Sequence, residues 1–360
     1  MATDTISLTD CQTKGEILHK VRVAVITAPG EVELRDEPSP PLGPDELLVE
    51  VAACGLCTME RRLFSGEKRV YPVAPGHEVA GRVVAAGATA AGLPGAPRLG
   101  DLVTVDLLTR CGACRACRRG RTALCKHPQG GALSDGTISM GAGLADAVRV
   151  PAKQAYPVGD VPVEVAAMGE PLACTVHSLR MGGFRTGDRV AVIGGGYMGR
   201  LHLALMRQRG AVEAGVMDVS GDRRDDAVHA GAHWTAHPDE ARTAHAHDVD
   251  VVVITAGAPG ALELGLDLLD EGGTVVLYGA FPKEALVGVP ADAIHHHEQT
   301  IAGVYSHEPE DWFVAAGLIR SGVLARDLEV LVTARFGLDR VGEALTLAAW
   351  SPVYRVLVGG

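Results

Sequence analysis

The sequence has 360 residues, of which 47% are hydrophobic, 4% are aromatic and 45 are glycines. A chain of this length exceeds the size at which a single hydrophobic core usually stops growing, so we expect two domains of α/β character. The net charge of −11 argues against a nucleic-acid or anionic-membrane partner, and no apolar run is long enough to span a bilayer.

Residues 1–20 are predicted to form an N-terminal extension. They carry acidic side chains and lack the continuous apolar segment of a secretory signal. The sequence therefore favours a cytoplasmic location. In the cytosol, closely spaced cysteines bind metals or carry out redox chemistry more often than they form structural disulfides.

The next part of the chain is predicted to be rich in short β-strands. Apolar, β-branched runs are repeatedly interrupted by glycine and proline, which is typical of a strand-rich and partly barrel-like domain. The predicted strands lie at residues 21–30, 46–55, 77–87 and 101–106.

Four of the eight cysteines follow at close spacing. Cys111, Cys114, Cys117 and Cys125 form a Cys-x2-Cys-x2-Cys-x7-Cys pattern, which lets several thiolates converge on one tetrahedral ion. Four thiolates leave no position for a substrate, so we expect a structural zinc that folds a lobe at about residues 108–128. An iron–sulfur cluster or disulfides are the alternatives.

From about residue 185, predicted strands alternate with predicted helices. This alternation indicates a parallel sheet covered by helices. The strands are predicted at 189–194, 213–218, 250–257, 274–280 and 300–305, and the helices at 197–210, 221–231, 261–272 and 308–321. A short strand and a final helix precede the terminal apolar run, and we expect this tail to return to the first domain.

A Gly-x-Gly-x-x-Gly motif lies between the first of these strands and its helix. Gly194 allows the tight turn, Gly196 lets a pyrophosphate approach the backbone, and Gly199 lets the helix pack on the strand. Tyr197 and Met198 complete the motif at the helix N-terminus, which favours phosphate charge. A glycine turn without a nucleotide is the alternative.

The predicted nucleotide is NAD. Asp218 ends the next strand, where its carboxylate can accept hydrogen bonds from ribose hydroxyls and would repel a 2′-phosphate. Arg223 and Arg224 follow closely and could bind that phosphate, so NADP stays open as the less favoured cofactor.

Several motifs occur together in one order along the chain. They are Cys-Gly-Leu-Cys at 54–57, Gly-His-Glu at 76–78, the four-cysteine lobe, Glu-Pro-Leu at 170–172 and the glycine motif. In this order they resemble the zinc-dependent medium-chain alcohol dehydrogenases, and more narrowly the polyol and sugar (sorbitol-dehydrogenase-like) branch.

The resemblance implies a GroES-like, β-rich catalytic domain at residues 21–180 and 306–360 and a Rossmann domain at residues 181–305. It also implies a homo-dimer or homo-tetramer and two zinc ions per chain, one catalytic and one structural. The catalytic zinc would be held by Cys57, His77, Glu78 as a ligand or exchanging near-ligand, and Glu170.

Glu170 and Cys174 each have an alternative role. Pro171 and the glycines at 182–183 predict a helix with Glu170 at its N-cap, so capping is an alternative role for this carboxylate. Cys174 lies one turn further on and is a rival zinc ligand. A lone cysteine in a helix is more often a small core residue, and the same applies to Cys54 and Cys11.

One position departs from the family pattern. The resemblance implies a serine or threonine two residues after the ligand cysteine, to pass the substrate proton to solvent, but this chain has Met59. Thr58, Glu60, or water beside Glu78 or Glu170 would have to replace it. Met59 also adds apolar wall to the pocket, which suggests a non-standard substrate.

Two further segments contain histidines. Ser306 and His307 follow the last predicted strand and are candidate pocket residues, although His307 could equally cap the next helix. His295, His296 and His297 are expected in an exposed turn or strand edge rather than in a metal site.

The resemblance implies an oxidoreductase that transfers a hydride between NAD and a secondary alcohol or ketone of a polyol, sugar or cyclitol. An L-threonine-type or a simple alcohol or aldehyde dehydrogenase is the alternative within enzymes. From another class, the chain could be a non-redox scaffold or sensor that binds zinc and a nucleotide.

Overall fold

The computed structural model describes residues 20–39, 41–128 and 131–360. Cys11 and most of the predicted N-terminal extension therefore lie outside the described residues. The chain divides into two compact units, each described here by itself. The first unit comprises residues up to Arg118, Cys125–Glu170 and Val332–Gly360, and the second comprises Arg119–Leu124 and Pro171–Leu331.

The first unit is rich in strands, as expected. Its strands are β1 (Lys20–Ala28), β2 (Glu31–Pro38), β3 (Glu46–Gly55), β4 (Val73–Ala74), β5 (Glu78–Ala86), β6 (Leu102–Val105), β7 (Ile138–Ser139), β8 (Ala147–Pro151), β9 (Ala155–Pro157), β16 (Val332–Phe336) and β17 (Arg355–Val358). Its helices are α1 (Thr58–Phe64), α2 (Arg115–Arg118), α3 (Val163–Ala166) and α12 (Val341–Trp350).

In the described residues of the first unit, the strands form two sheets. The order is β2-β1-β4-β7 in one and β16-β17-β3-β5-β6-β9 in the other, with β8 pairing β3. Strand β3 pairs antiparallel with both β5 and β17, in a register that places Gly55 opposite both Glu78 and Leu357. This pairing brings the chain after β3 next to the start of β5, although the two segments are separate in sequence.

The second unit alternates strands and helices. Its strands are β10 (Arg189–Ile193), β11 (Glu213–Met217), β12 (Trp234–Ala236), β13 (Val249–Ile254), β14 (Leu269–Leu277) and β15 (Thr300–Gly303). Its helices are α4 (Gly169–Met181), which begins two residues before the unit boundary, α5 (Tyr197–Gln208), α6 (Gly221–His229), α7 (Pro238–Ala244), α8 (Ala261–Leu268), α9 (Ala291–His296), α10 (Pro309–Ser321) and α11 (Ala325–Glu329).

The strands of the second unit form one parallel sheet in the order β12-β11-β10-β13-β14-β15. Its interior is apolar: Val192, Val252 and Val275 are each 0% exposed. The strand order reverses between β10 and β13, and ligands of such open sheets bind outside the carboxyl ends of the strands at this point. The glycine motif follows β10 directly, so the fold places it there. Together, the β-rich unit and the parallel sheet confirm the predicted fold class.

The observed units group residues 306–331 differently from the sequence-based bounds, which assigned them to the first domain. Helix α10 belongs to the second unit because its buried Asp311 accepts a hydrogen bond from Arg180 Nε at 3.0 Å and pairs with His177 Nδ1 at 2.7 Å. These contacts join residues far apart in sequence, so no local sequence pattern predicts them. Within the described residues, no helix is both long and apolar enough to cross a membrane.

One buried histidine gives the second unit a predicted pH dependence. His202 of α5 is 0% exposed, with Nδ1 at 2.7 Å from the Met198 carbonyl and Nε2 at 2.9 Å from Ser178 Oγ. Burial lowers the pKa of His202 to about 4, although the Met198 carbonyl acts in the opposite direction. The unfolded chain therefore takes up this proton first, and the free energy of unfolding falls by about 3 kcal/mol between about pH 6.5 and pH 4.

Urea unfolding at pH 7 and pH 4 measures this effect by comparing variants. Between pH 7 and pH 4, the free energy of unfolding of wild type should fall by about 3 kcal/mol more than that of His202→Gln, because glutamine does not titrate. His229→Gln, at an exposed histidine, is the control and should follow wild type. An identical pH dependence for wild type and His202→Gln would contradict the prediction.

Candidate metal and nucleotide sites

Helix α1 begins directly after Cys57, and Glu60 holds this turn. Cys57 is the N-cap, and Glu60 accepts a hydrogen bond from its backbone N–H at 2.9 Å. The other oxygen of Glu60 accepts from the Gly76 N–H and faces His77 Nδ1, each at 3.1 Å. Glu60 is 0% exposed. One buried carboxylate therefore fixes both the thiol-bearing turn and the imidazole.

Charge reinforces this arrangement. Burial alone would lower the pKa of His77. The Glu60 carboxylate and the Cys57 thiol have a larger, opposite effect, so the pKa lies well above its ordinary value. Burial raises the pKa of Glu60, but His77 lowers it to a net value below the ordinary one. Because an ionised carboxylate holds Nδ1, Nε2 of His77 is the nitrogen left for a metal ion.

Glu78 is a buried carboxylate with an incomplete set of partners. It is 1% exposed, and its Oε1 lies 3.0 Å from Arg355 Nη2 on β17. Oε2 accepts no hydrogen bond from the described residues. Burial raises the pKa of Glu78 to about 7, with Arg355 opposing this shift and Glu170 adding to it. A cation beside Oε2 would supply the missing partner.

Gly55 explains the glycine of the Cys-Gly-Leu-Cys motif. A Cβ at this position would lie 2.1 Å from Glu78 Oε2. Any larger residue would therefore displace the carboxylate, so the absent side chain creates the space that Glu78 occupies.

The three side chains converge. The ligand atoms of Cys57, His77 and Glu78 all lie within 4.8 Å of one another. A thiolate sulfur, an imidazole nitrogen and a carboxylate oxygen form a donor set that suits zinc, and three protein ligands leave one position open. The donor chemistry and the unpartnered Glu78 Oε2 both fit a catalytic type of zinc site.

Glu170 does not join this group of mutually close ligand atoms. Helix α4 begins at Gly169, so Glu170 lies in the first turn and not at the predicted N-cap. A Cβ at Gly169 would lie 2.0 Å from Thr104 Oγ1, so only glycine allows the helix to begin there. In the first turn, the Glu170 carboxylate still interacts with the positive end of the helix dipole.

The structure also places the remaining candidates of this region. Thr58 is exposed, and Met59 is partly buried against the core of the first unit. Both oxygens of Glu60 accept hydrogen bonds within the site, and its place on a proton path stays a prediction. Cys54 is 0% exposed, and burial raises the pKa of its thiol. Cys54 therefore behaves as the core residue expected from the sequence.

The histidine-containing segments lie in the second unit. Ser306 has a φ of 58°, and the adjacent His307 is 0% exposed. A ligand atom of His307 lies within 4.8 Å of Cys174 Sγ. His295 and His296 end helix α9, which corrects the predicted turn or strand edge. Among the described residues, these two histidines and His297 join no group of mutually close ligand atoms.

The four cysteines of the lobe surround a common point. Their sulfur–sulfur distances are 3.9 Å for Cys111–Cys117, 3.6 Å for Cys114–Cys117 and 3.5 Å for Cys111–Cys125. Disulfide sulfurs are only about 2.05 Å apart. The edge of a tetrahedral zinc–thiolate site is about 3.8 Å, from Zn–S bonds of about 2.3 Å. The observed spacing therefore fits one ion rather than disulfides.

Backbone donors support thiolate charge in this lobe. The Cys111 N–H donates to Cys125 Sγ at 3.5 Å, and the Cys114 N–H donates to Cys111 Sγ at 3.4 Å. Hydrogen bonds from the backbone N–H groups of Cys117 and Lys126 lower the pKa of Cys114 to about 6. Such donors stabilise the deprotonated sulfur that a metal requires.

The glycine motif has the geometry of a nucleotide-binding turn. Gly194 has a φ of 106°, and a Cβ on Gly199 would lie 1.8 Å from the Gly194 carbonyl oxygen. Gly196 is the N-cap of α5, which begins at the buried Tyr197. A Cβ on Gly196 would come no closer than 3.5 Å to the described residues. The turn therefore stays open at Gly196, where a pyrophosphate could approach.

Asp218 lies beside this turn. Its Oδ2 accepts a hydrogen bond from the Gly195 N–H at 2.7 Å, and its Oδ1 accepts from the Ser220 N–H at 2.8 Å. Arg223 Nη1 lies 3.7 Å from Asp218 Oδ2, and Arg224 donates to the Asp218 carbonyl at 2.7 Å. Both arginines are thus engaged with the Asp218 segment, and the carboxylate is fixed at the edge of the turn.

The roles of three residues around the proposed metal site, Glu60, Arg355 and Lys68, were not predicted from the sequence. The orienting role of Glu60 could have been found, because an acid three residues after an N-cap is a capping-box signal. Arg355 gave no signal, since its contact with Glu78 depends on the pairing of β17 with β3. Lys68, whose Nζ lies 3.0 Å from Met59 Sδ, lies in a loop without a recognised pattern.

Comparison with known proteins identifies the family of this chain. The family described as "Alcohol dehydrogenase GroES-like domain" matches residues 43–163, and "Zinc-binding dehydrogenase" matches residues 198–321. An L-threonine 3-dehydrogenase of Pyrococcus horikoshii is 31% identical over 89% of this chain and 93% of that protein. A D-altritol 5-dehydrogenase of Agrobacterium fabrum is 29% identical over 77% of this chain and 82% of that protein.

A solved structure is also similar to most of this chain. The chain is similar to one from Sinorhizobium meliloti that is classed as a zinc-binding dehydrogenase and was solved with bound NADP. The TM-score is 0.84 at 30% identity, covering 95% of this chain and 99% of that one.

Proposed function

Because the chain belongs to the zinc-dependent medium-chain alcohol dehydrogenase family, as the sequence motifs predicted, we propose that it transfers a hydride between NAD and a secondary alcohol or ketone of a polyol, sugar or cyclitol. The observation that carries this proposal is the convergence of Cys57, His77 and Glu78, with both oxygens of the buried Glu78 lacking a hydrogen-bond partner in the described part of the chain. The chain would hold two zinc ions and act as a homo-oligomer.

The residues of the first unit would prepare the metal site. Bound zinc supplies Lewis acidity, which polarises an alcohol or carbonyl oxygen. Glu60 keeps His77 in one orientation, and Arg355 compensates part of the Glu78 charge. Met59 offers no hydroxyl, so the proton released on alcohol oxidation passes to water rather than through that side chain.

The residues of the second unit would bind the cofactor, whose nicotinamide accepts or donates the hydride. The turn from Gly194 to Gly199 would bind the pyrophosphate at the start of α5. Asp218 supports NAD over NADP because its carboxylate would repel a 2′-phosphate. The engagement of Arg223 with Asp218 reduces the charge available to attract one.

An L-threonine-type dehydrogenase is the second candidate. Relatives with that name are about as similar to the chain as the D-altritol 5-dehydrogenase is. A panel of polyols, sugars, cyclitols and L-threonine with NAD, read at the nicotinamide absorbance band, separates the two candidates. Activity that survives complete removal of zinc by phenanthroline would overturn the metal-dependent mechanism, and a lack of turnover with every substrate would favour the scaffold alternative.

The cofactor preference predicts a selective effect of Asp218→Gly. Loss of the carboxylate removes hydrogen bonds to the ribose, so we expect NADH to bind about 10- to 100-fold more weakly. The affinity for NADPH should change by less than about threefold. The variant loses contacts to the ribose, but it also loses the repulsion between the carboxylate and the 2′-phosphate, and the two effects offset each other. Fluorescence titration with NADH and NADPH measures both, and Asp222→Gly in the first turn of α6 is the matched control. Equal losses for the two cofactors would contradict the assignment.

A further inference from the structure

Lys68 places a positive charge against helix α1, which begins directly after Cys57. Its Nζ lies 3.0 Å from Met59 Sδ, and Met59 is two residues after Cys57. The thioether is only a weak hydrogen-bond acceptor. The structure therefore places an ammonium group against the side chain that replaces the expected hydroxyl.

The described residues do not neutralise this ammonium. No carboxylate of residues 20–39, 41–128 or 131–360 forms an ion pair with Lys68. The two acids nearest in sequence are otherwise engaged: Glu67 pairs with Arg62 at 3.3 Å, and Glu60 binds His77, Gly76 and Cys57. Residues 58–69 contain four basic side chains and two acidic ones, which leaves an excess of two positive charges.

The environment of Lys68 is partly desolvated. Burial lowers its pKa, Arg62 lowers it further, and Glu60 opposes both. Glu60 is also the carboxylate that holds His77, so Lys68 and the proposed metal site have one charged neighbour in common. A partly buried cation without an ion-pair partner is stabilised when an anion binds beside it.

We propose that Lys68 binds an oxyanion of the substrate, so that the enzyme acts on a secondary alcohol carrying a carboxylate or phosphate rather than on a neutral one. This inference rests on the proposed function. In such a substrate the hydroxyl oxygen would bind at the Cys57–His77–Glu78 site, and the oxyanion would bind beside Lys68 and Met59. A sugar acid, a hydroxy amino acid and a sugar phosphate share this chemistry, whereas an unmodified polyol lacks it.

Matched substrate pairs test the proposal. The neutral 2,3-butanediol is compared with 3-hydroxybutyrate for the carboxylate, and galactitol is compared with galactitol 1-phosphate for the phosphate. Wild type should prefer one or both anionic members, and the responding pair identifies the oxyanion. In Lys68→Met, kcat/KM for that anion should fall about 10- to 100-fold, mostly through KM, with less than about threefold change for its neutral partner.

Two further variants separate charge at this position from general effects. Lys68→Arg keeps the positive charge and should retain most of the preference for the anion. Arg69→Met removes a neighbouring exposed charge and should leave the preference unchanged. Equal losses for neutral and anionic substrates in Lys68→Met, or an equal loss of preference in Arg69→Met, would overturn the proposal.

A binding measurement keeps this inference separate from the proposed function. Saturation-transfer NMR with butyrate and 31P line broadening with inorganic phosphate report anion binding to the zinc- and NAD-loaded protein without turnover. Binding that is present in wild type and lost in Lys68→Met supports the anion site even if no alcohol is oxidised. Turnover of neutral alcohols by wild type, without anion preference and without anion binding, overturns the role of Lys68 while the proposed dehydrogenase activity stands.

Discussion

Replacing Cys57 by serine is expected to reduce the zinc content from two ions to one per chain and to lower kcat/KM for alcohol oxidation by about 1,000-fold or more. The serine hydroxyl stays protonated at neutral pH and is a poor substitute for a thiolate ligand. Without the ion, the substrate oxygen loses several kcal/mol of transition-state stabilisation, and about 4 kcal/mol corresponds to this factor. Elemental analysis and nicotinamide absorbance measure the two effects.

The neighbouring Cys54 provides a matched control. It belongs to the same Cys-Gly-Leu-Cys motif, but it is 0% exposed and lies in the core of the first unit. Cys54→Ala should cost some stability and keep both zinc ions and most of the activity. If Cys57→Ser keeps two ions and normal turnover, the proposed ligand set is wrong.

The residues of the glycine turn and of the cysteine lobe could be predicted because their sequence patterns are local. The glycines at 194, 196 and 199 follow a strand and precede a helix, and this order alone indicates a nucleotide-binding turn. The spacing of Cys111, Cys114, Cys117 and Cys125 is likewise a local pattern, and the observed sulfur distances agree with it. In both cases the geometry of the site depends on a few residues that are close together in the sequence.

The parts that could not be predicted depend on pairing between distant segments. Arg355 reaches Glu78 only because β17 pairs with β3 beside β5. Helix α10 joins the second unit through the contacts of Asp311 with His177 and Arg180. These contacts depend on tertiary packing, which no window of the sequence contains. The resemblance to a family predicted the fold class, but it could not supply side-chain partners specific to this chain.

Helix α10 also receives contacts from residues 119–124, which belong to the same unit. Glu308, at the N-cap of α10, is 5% exposed and accepts hydrogen bonds from the backbone N–H groups of Thr122 and Ala123, each at 2.9 Å, and from the Thr122 hydroxyl. Thr122 and Ala123 lie between Cys117 and Cys125, two of the proposed zinc ligands. A bound zinc would therefore fix the segment that satisfies this buried carboxylate.

Replacing Cys114 by serine should consequently unfold more than the lobe. The variant is expected to lose one zinc ion, and the opened segment would leave Glu308 buried without these donors, at a cost of about 1–3 kcal/mol beyond the loss of the metal. Four arginines, at 115, 118, 119 and 121, lie between Cys114 and Cys125. Trypsin should cleave there about 100-fold faster than in wild type, because the local free energy of opening falls by about 3 kcal/mol or more.

Limited trypsin digestion with mass analysis locates the cleavage, and thermal unfolding measures the accompanying loss of stability. Leu124→Ala, at an exposed residue beside Cys125, is the control and should keep the zinc content and the protease resistance of wild type. Thr122→Val removes one donor to Glu308 without touching the cysteines. This variant should keep both zinc ions but lower the midpoint of thermal unfolding, because the effect on α10 passes through Glu308 rather than through the metal. An unchanged rate of cleavage in Cys114→Ser would show that the lobe is held by its polypeptide contacts alone.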